Sequence, residues 1–168
     1  MDVMQSLTEP EVRASFVNAT KGEIARMNLP PDFDHKPWVE LEVLGWVDPK
    51  APRTGYLVVP TPDKGTVGVQ VKRVPGGGTR RARMCSLCAT THGGQGVALM
   101  VAPRAGRSGR AGNTVGLEMC STLACPDYAR GALAVPSATA VHETLTVDER
   151  RTRLRGNVLA FVERVLAQ

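Results

Sequence analysis

The four cysteines of this 168-residue chain stand as two pairs, Cys85-Ser86-Leu87-Cys88 and, after a gap of 31 residues, Cys120-Ser121-Thr122-Leu123-Ala124-Cys125. No other feature constrains the fold as strongly. A two-residue gap lets the first pair turn back as a knuckle, with both sulfurs reaching one ion. The second pair is followed by Pro126 and helix-compatible residues, which puts Cys120 at a strand end and Cys125 in the first turn of a helix stopping near Gly131. Knuckle, hairpin and strand-to-helix ligands describe a treble-clef-like zinc finger. Four thiolates fill a tetrahedral zinc shell and leave no position for water or substrate, so one structural Zn²⁺ per chain is expected.

Other uses of these residues fit less well. A thioredoxin-type redox pair uses a single Cys-x-x-Cys within a βαβ unit and would leave Cys120 and Cys125 without a role. The cysteines could also stand unliganded. His92, four residues after Cys88, could replace a ligand or donate to one from outside the coordination sphere. Enzymatic signatures are thin. A zinc deaminase needs His-x-Glu and Pro-Cys-x-x-Cys, whereas Met84 precedes Cys85 and Pro126 follows Cys125. His142-Glu143 starts a metalloprotease-like string, but Thr146 stands at the second histidine position. Gly76-Gly77-Gly78-Thr79 lacks the ending of a phosphate loop and reads as a turn. The chain is therefore expected not to be an enzyme.

The net charge of +5 is unevenly spread. Between Asp63 and Glu118 no acidic residue occurs, while Lys64, Lys72, Arg73, Arg80, Arg81, Arg83, Arg104, Arg107 and Arg110 supply nine positive charges. The rest of the chain carries 12 basic and 16 acidic residues. The cysteine region thus reads as a basic lobe on a mildly acidic body, suited to an acidic protein face or to nucleic-acid phosphates. Only Tyr128 interrupts the aromatic-free stretch between Tyr56 and Phe161, which argues against base-stacking recognition of single strands. No run of 18 apolar residues is present and the first residues lack a signal-peptide pattern. A cytoplasmic location is expected, where paired cysteines bind metal more often than they form disulfides.

Periodicity supplies the fold class. Thr8-Glu9-Pro10-Glu11 resembles a capping box for a helix to about Asn18, and Phe16, Val17, Ile24 and Met27 suggest a second helical turn before Leu29-Pro30-Pro31. From Trp38 the period becomes two, with Val39, Leu41 and Val43 alternating with Glu40 and Glu42, the pattern of a strand with one wet face. Further strands are predicted at Gly55–Val59, Thr66–Val74, Gly96–Val101 and Thr114–Met119, and Arg104–Asn113 reads as an exposed flexible loop. A capping box at Thr146–Glu149 opens a last helix with a stripe of Leu154, Val158, Phe161, Val162 and Val165. The fold class is α+β: antiparallel β hairpins with a treble-clef-like four-cysteine zinc finger, flanked by amino- and carboxy-terminal helices. The expected organisation is a helical segment at 1–37, a β-rich zinc-finger domain at 38–135, and a helix at 136–168 packed on it as one unit.

Several stretches together resemble the treble-clef zinc-finger domain of elongation-factor-G-binding proteins. They are Gly45-Trp46-Val47-Asp48-Pro49-Lys50, Arg83–Cys88, Gly96–Val101, Gly112–Gly116 and Cys120–Cys125. That group includes the fusidic-acid-resistance proteins and was formerly labelled fibronectin-binding. The resemblance runs from about Phe16 to Arg130. It implies a non-enzymatic translation factor that binds elongation factor G and promotes its release from the ribosome, with tolerance of fusidic acid as a consequence. It also implies Cys85, Cys88, Cys120 and Cys125 as zinc ligands. The resistance proteins carry a larger amino-terminal helical part. The expected partners are elongation factor G and the ribosome, including rRNA phosphates, with no membrane and a monomeric chain. Candidate contacts are the basic residues Arg80, Arg81, Arg83, Arg104, Arg107 and Arg110, with Leu87, Leu123 and Tyr128 as apolar anchors beside the zinc. The alternative is a basic zinc module that binds ribosomal RNA or another nucleic acid.

Overall fold

The computed structural model describes residues 4–76, 81–134 and 143–167, so the glycine turn at 77–79 and His142 lie outside the described residues. Its centre is a five-stranded antiparallel sheet of order β1-β2-β3-β6-β7, built from Leu44–Val47, Thr54–Thr61, Gly65–Arg73, Val97–Pro103 and Thr114–Cys120. Each strand of this sheet pairs with the next one of the same sheet along the chain. The excursion between β3 and β6 is a two-stranded hairpin of Arg83–Met84 (β4) and Thr91–His92 (β5), which carries the first cysteine pair.

The last helix, Val147–Leu166 (α5), begins with the expected capping box. Thr146 accepts from the Glu149 amide, and Glu149 accepts from the Thr146 amide. Its stripe of Leu154, Val158, Phe161, Val162 and Val165 is buried against one face of the sheet. Each such side chain contributes about 1.5–3 kcal/mol by leaving water, so packing holds this helix more than its propensity does.

The opposite face is covered over β1 to β3 by the amino-terminal segment. Glu9–Ala14 (α1) and Lys21–Ala25 (α2) bring Val12, Ile24 and Met27 onto Leu44, Trp46, Tyr56 and Val58. Strand β2 is therefore buried on both sides: Leu57 and Val59 enter the α5 core, Tyr56 and Val58 the other. Thr20, which the sequence pattern did not single out, caps α2 with a reciprocal box to Glu23.

Four expectations need correction. Helix α1 ends at Ala14, and Phe16 instead bridges Gly68 in parallel, where any Cβ on residue 68 would come within 2.5 Å of Ser15 Oγ. Asn18 then locks this segment down, donating to the Gln70 and Pro103 carbonyls and accepting from the Gln70 amide. The stretch from Trp38 is no strand: Trp38–Glu40 is a 3₁₀ turn, Val39 is 67% exposed, and β1 starts at Leu44. Glu42, expected on a wet face, is 3% exposed and ion-paired with Arg151 of α5. Finally, Arg104–Asn113 is an ordered connection containing a short helix, Gly106–Arg110 (α3). It caps α5, because the Ala105 amide donates to Val165 O at 2.8 Å and the Arg104 guanidinium donates to Arg164 O.

Candidate metal centre

The first cysteine pair sits in the β4–β5 hairpin. The Cys85 amide donates to Thr90 O, the Ala89 amide to Cys85 O, and Ala89 takes a left-handed φ of 60° to close the turn. The Leu87 amide faces Cys85 Sγ at 3.4 Å, as a knuckle requires. The second pair is placed by β7, which ends at Cys120, and by Cys125–Ala129 (α4), which opens at Cys125. Between them Leu123 has a left-handed φ of 56° and its amide closes a turn on Cys120 O.

These elements converge. All four sulfurs are buried and lie within 4.8 Å of one another, with Cys85 and Cys125 at 3.7 Å and Cys88 and Cys120 at 3.5 Å. A tetrahedron with Zn–S bonds of about 2.3 Å has edges of about 3.8 Å, so the donor set fits one zinc ion. Among the described residues no other group of three or more His, Cys, Asp or Glu side chains is placed to share an ion. Hydrogen bonds with Cys120, Cys125 and Cys88 pull Cys85 far below the usual thiol range, while those with Cys120, Cys85 and Cys88, together with burial, push Cys125 well above it. A bound dication displaces the remaining protons and turns four donors into thiolates. The zinc is structural: the shell is full, and all four ligands are buried.

Around the sulfurs, Thr90 Oγ1 lies 3.1 Å from Cys88 Sγ and His92 Nε2 lies 3.5 Å from Cys120 Sγ. His92 is not among the four ligands. Burial pushes its pKa down, and the ring packs edge-on against Tyr128 at 4.8 Å, with Nε2 placed to donate an N–H to the Cys120 thiolate. Sequence reasoning missed Thr90, whose signal was a hydroxyl two residues after Cys88.

The Gly45–Lys50 motif serves this centre. A Cβ at Gly45 would lie 2.6 Å from Leu123 O, and one at Gly55 2.6 Å from Leu123 Cδ1. Two glycines on β1 and β2 thus form a notch that receives the turn of the second cysteine pair. Beyond them, Trp46 Nε1 donates to Asn28 O at 2.9 Å. The buried Asp48 carboxylate accepts from the Asn28 amide and side chain, the Lys50 amide and Tyr56 OH. Burial works against that charge, but these hydrogen bonds outweigh it and hold Asp48 below the usual carboxylate range.

The structure divides the expected contact residues. Leu87 and Leu123 are fully buried and cannot be exposed anchors: Leu87 packs in the α5 core, and Leu123 fills the glycine notch. Tyr128 is half-buried on His92. Arg83 is engaged at home, bonded to Glu118 at 3.0 Å and to Val97 O, and Arg104 caps α5. Arg81, Arg107 and Arg110 are exposed, and Arg80 lies outside the described residues. The arginines do not form one lobe. Val97 pairs with Cys120 at the zinc end of the β6–β7 hairpin and Pro103 with Thr114 at the other, about 20 Å away at strand rise. Arg107 and Arg110 follow the far end.

Comparisons with known proteins agree with this geometry. The family described as FBP C-terminal treble-clef zinc-finger matches residues 11–165. A solved structure of the fusidic acid resistance protein FusC is similar, with a TM-score of 0.56 at 12% identity, covering 96% of this chain. This chain spans 60% of that protein's length, and at such identity the likeness is one of fold. No curated protein sequence matches.

Proposed function

Since the chain belongs to the FBP C-terminal treble-clef zinc-finger family, we propose that it is a non-enzymatic factor that binds elongation factor G and promotes its release from the ribosome. The observation that carries this reading is the closed metal shell. Four buried thiolates leave the zinc nothing to catalyse, so its contribution is the surface it holds in shape. A fusidic acid resistance protein shares the fold, which makes drug tolerance the physiological outcome to measure. The factor acts in the cytoplasm, as a monomer, beside the ribosome. Among the described residues no helix is long and apolar enough to cross a membrane.

The test is capture of purified elongation factor G by the zinc-loaded chain in the presence of nuclease. Capture that survives nuclease and is lost with a zinc chelator supports the reading; no capture by folded, metal-loaded protein overturns it. The acid-free stretch between Asp63 and Glu118 favours one second reading, binding to ribosomal RNA. Neutralising six phosphates would make log affinity fall with log salt at a slope of about −5, and a shallow slope would exclude that mode.

A further inference from the structure

The amino-terminal layer covers only part of its sheet face. Its core takes residues from β1 and β2, none from β6 or β7. Where the cover stops, a groove of about 660 Å³ opens over the β3–β6–β7 side, and Arg53, Arg73, Arg83, Val74 and Leu99 are among the residues that line it. Val74 and Leu99 are each 40% exposed, and the Val74 amide donates to Leu99 O, which joins them into one apolar strip. Among the described residues Glu118 is the one carboxylate lining the groove, and it is already bound to Arg83. Neither Arg53 nor Arg73 has an ion-pair partner among the described residues.

We propose that this groove is the docking site for an acidic segment of a partner protein that also carries apolar side chains. Charge complementarity selects the sign: two arginines without an ion pair and a third already fixed by Glu118 line a groove with no free carboxylate among the described residues. The apolar lining selects the class of molecule. A phosphate backbone could engage the arginines but would leave Leu99 and Val74 in contact with water, and no aromatic ring among the described residues lines the groove for a base to stack on. An acidic peptide with leucine-like residues satisfies both features. The proposal rests on the functional reading only in taking the partner to be a protein.

The test uses the full zinc-loaded chain and three labelled probes: a peptide of mixed glutamate, leucine and serine, its glutamine counterpart, and a single-stranded RNA. The acidic peptide should bind, with its glutamine counterpart weaker by about tenfold or more. The Arg53→Glu/Arg73→Glu double variant should lose about the same factor, with zinc content and denaturation midpoint unchanged. Leu99→Ser should weaken the peptide too, while Arg107→Glu/Arg110→Glu, beyond the far end of the hairpin, should not. Absence of peptide binding, indifference to the Arg53 and Arg73 changes, or tighter binding of RNA with the same sensitivity would each overturn the proposal. Capture of elongation factor G run in parallel separates the two readings. Capture that ignores the double variant removes the groove and leaves the factor assignment. Arginine-dependent peptide binding without capture does the reverse.

Discussion

Replacing Gly45 with alanine tests how the β1 notch supports the metal centre. The new Cβ would stand 2.6 Å from Leu123 O, 3.1 Å from Leu57 Cδ2 and 3.3 Å from Leu123 Cβ, where carbon contacts ordinarily begin near about 3.5 Å. A leucine tip can rotate away, but a backbone carbonyl cannot, so the turn must retreat by about 0.5–1 Å. Overpacking of this kind costs about 1–3 kcal/mol. The retreat matters beyond stability because Leu123 lies between two ligands, and zinc tolerates ligand distances only to within about 0.2 Å. Gly45→Ala should therefore lower the urea midpoint with zinc present and also weaken zinc in competition with a chromophoric chelator, by about tenfold for each 1.4 kcal/mol passed to the site. Gly116→Ala is the control: its Cβ would meet nothing closer than 3.6 Å, so it should move neither readout by more than about 0.5 kcal/mol. A Gly45→Ala protein that unfolds and holds zinc like its parent would refute the notch as a support.

Removal of the metal should unfold more than the finger. Asn157 of α5 donates to Leu87 O at 2.9 Å and Arg153 to Cys88 O, so chelation or Cys125→Ser should lower the melting temperature of the helical signal as well; an unchanged melt would contradict this. Because zinc displaces thiol protons, its affinity should fall as pH falls, measurable by chelator competition. Arg151→Ala leaves the buried Glu42 carboxylate unpaired and should cost about 3–5 kcal/mol in urea unfolding, most of it recovered in an Arg151→Leu/Glu42→Leu double variant. Asp48 has a lowered carboxyl pKa in the fold, so its stabilisation is complete above the unfolded value of about 3.9 and is lost as pH drops further. Stability measured against pH should show a shallower acid limb in Asp48→Asn, and identical limbs would remove Asp48 as a source.

Elements with a self-contained local signal were legible in the sequence. Thr146 and Glu149 sit three residues apart and complete a cap wherever the helix goes, and the Leu154–Val165 stripe needs only a surface to meet. Strands β2, β3, β6 and β7 announced themselves through β-branched runs and turn residues, and the cysteine spacings set the ligand set. Failures came where exposure depended on another element. Glu40 and Glu42 looked alike in an alternating pattern, yet α5 brings Arg151 to Glu42 while Glu40 meets Arg130 at the surface.

The tertiary structure alone could show that Leu123 fills a notch of Gly45 and Gly55, because those residues lie far from it in the chain and meet only through the β1–β2 register. It also dispersed the arginines. A count along residues 64–117 made them one basic lobe, but a hairpin about 20 Å long separates Arg83 from Arg107 and Arg110. Sequence by itself determined the zinc site and the cap of α5, since short spacings and local hydrogen bonds fix their geometry. Which charged and apolar side chains remain on the surface was decided by which layer covers each face of the sheet.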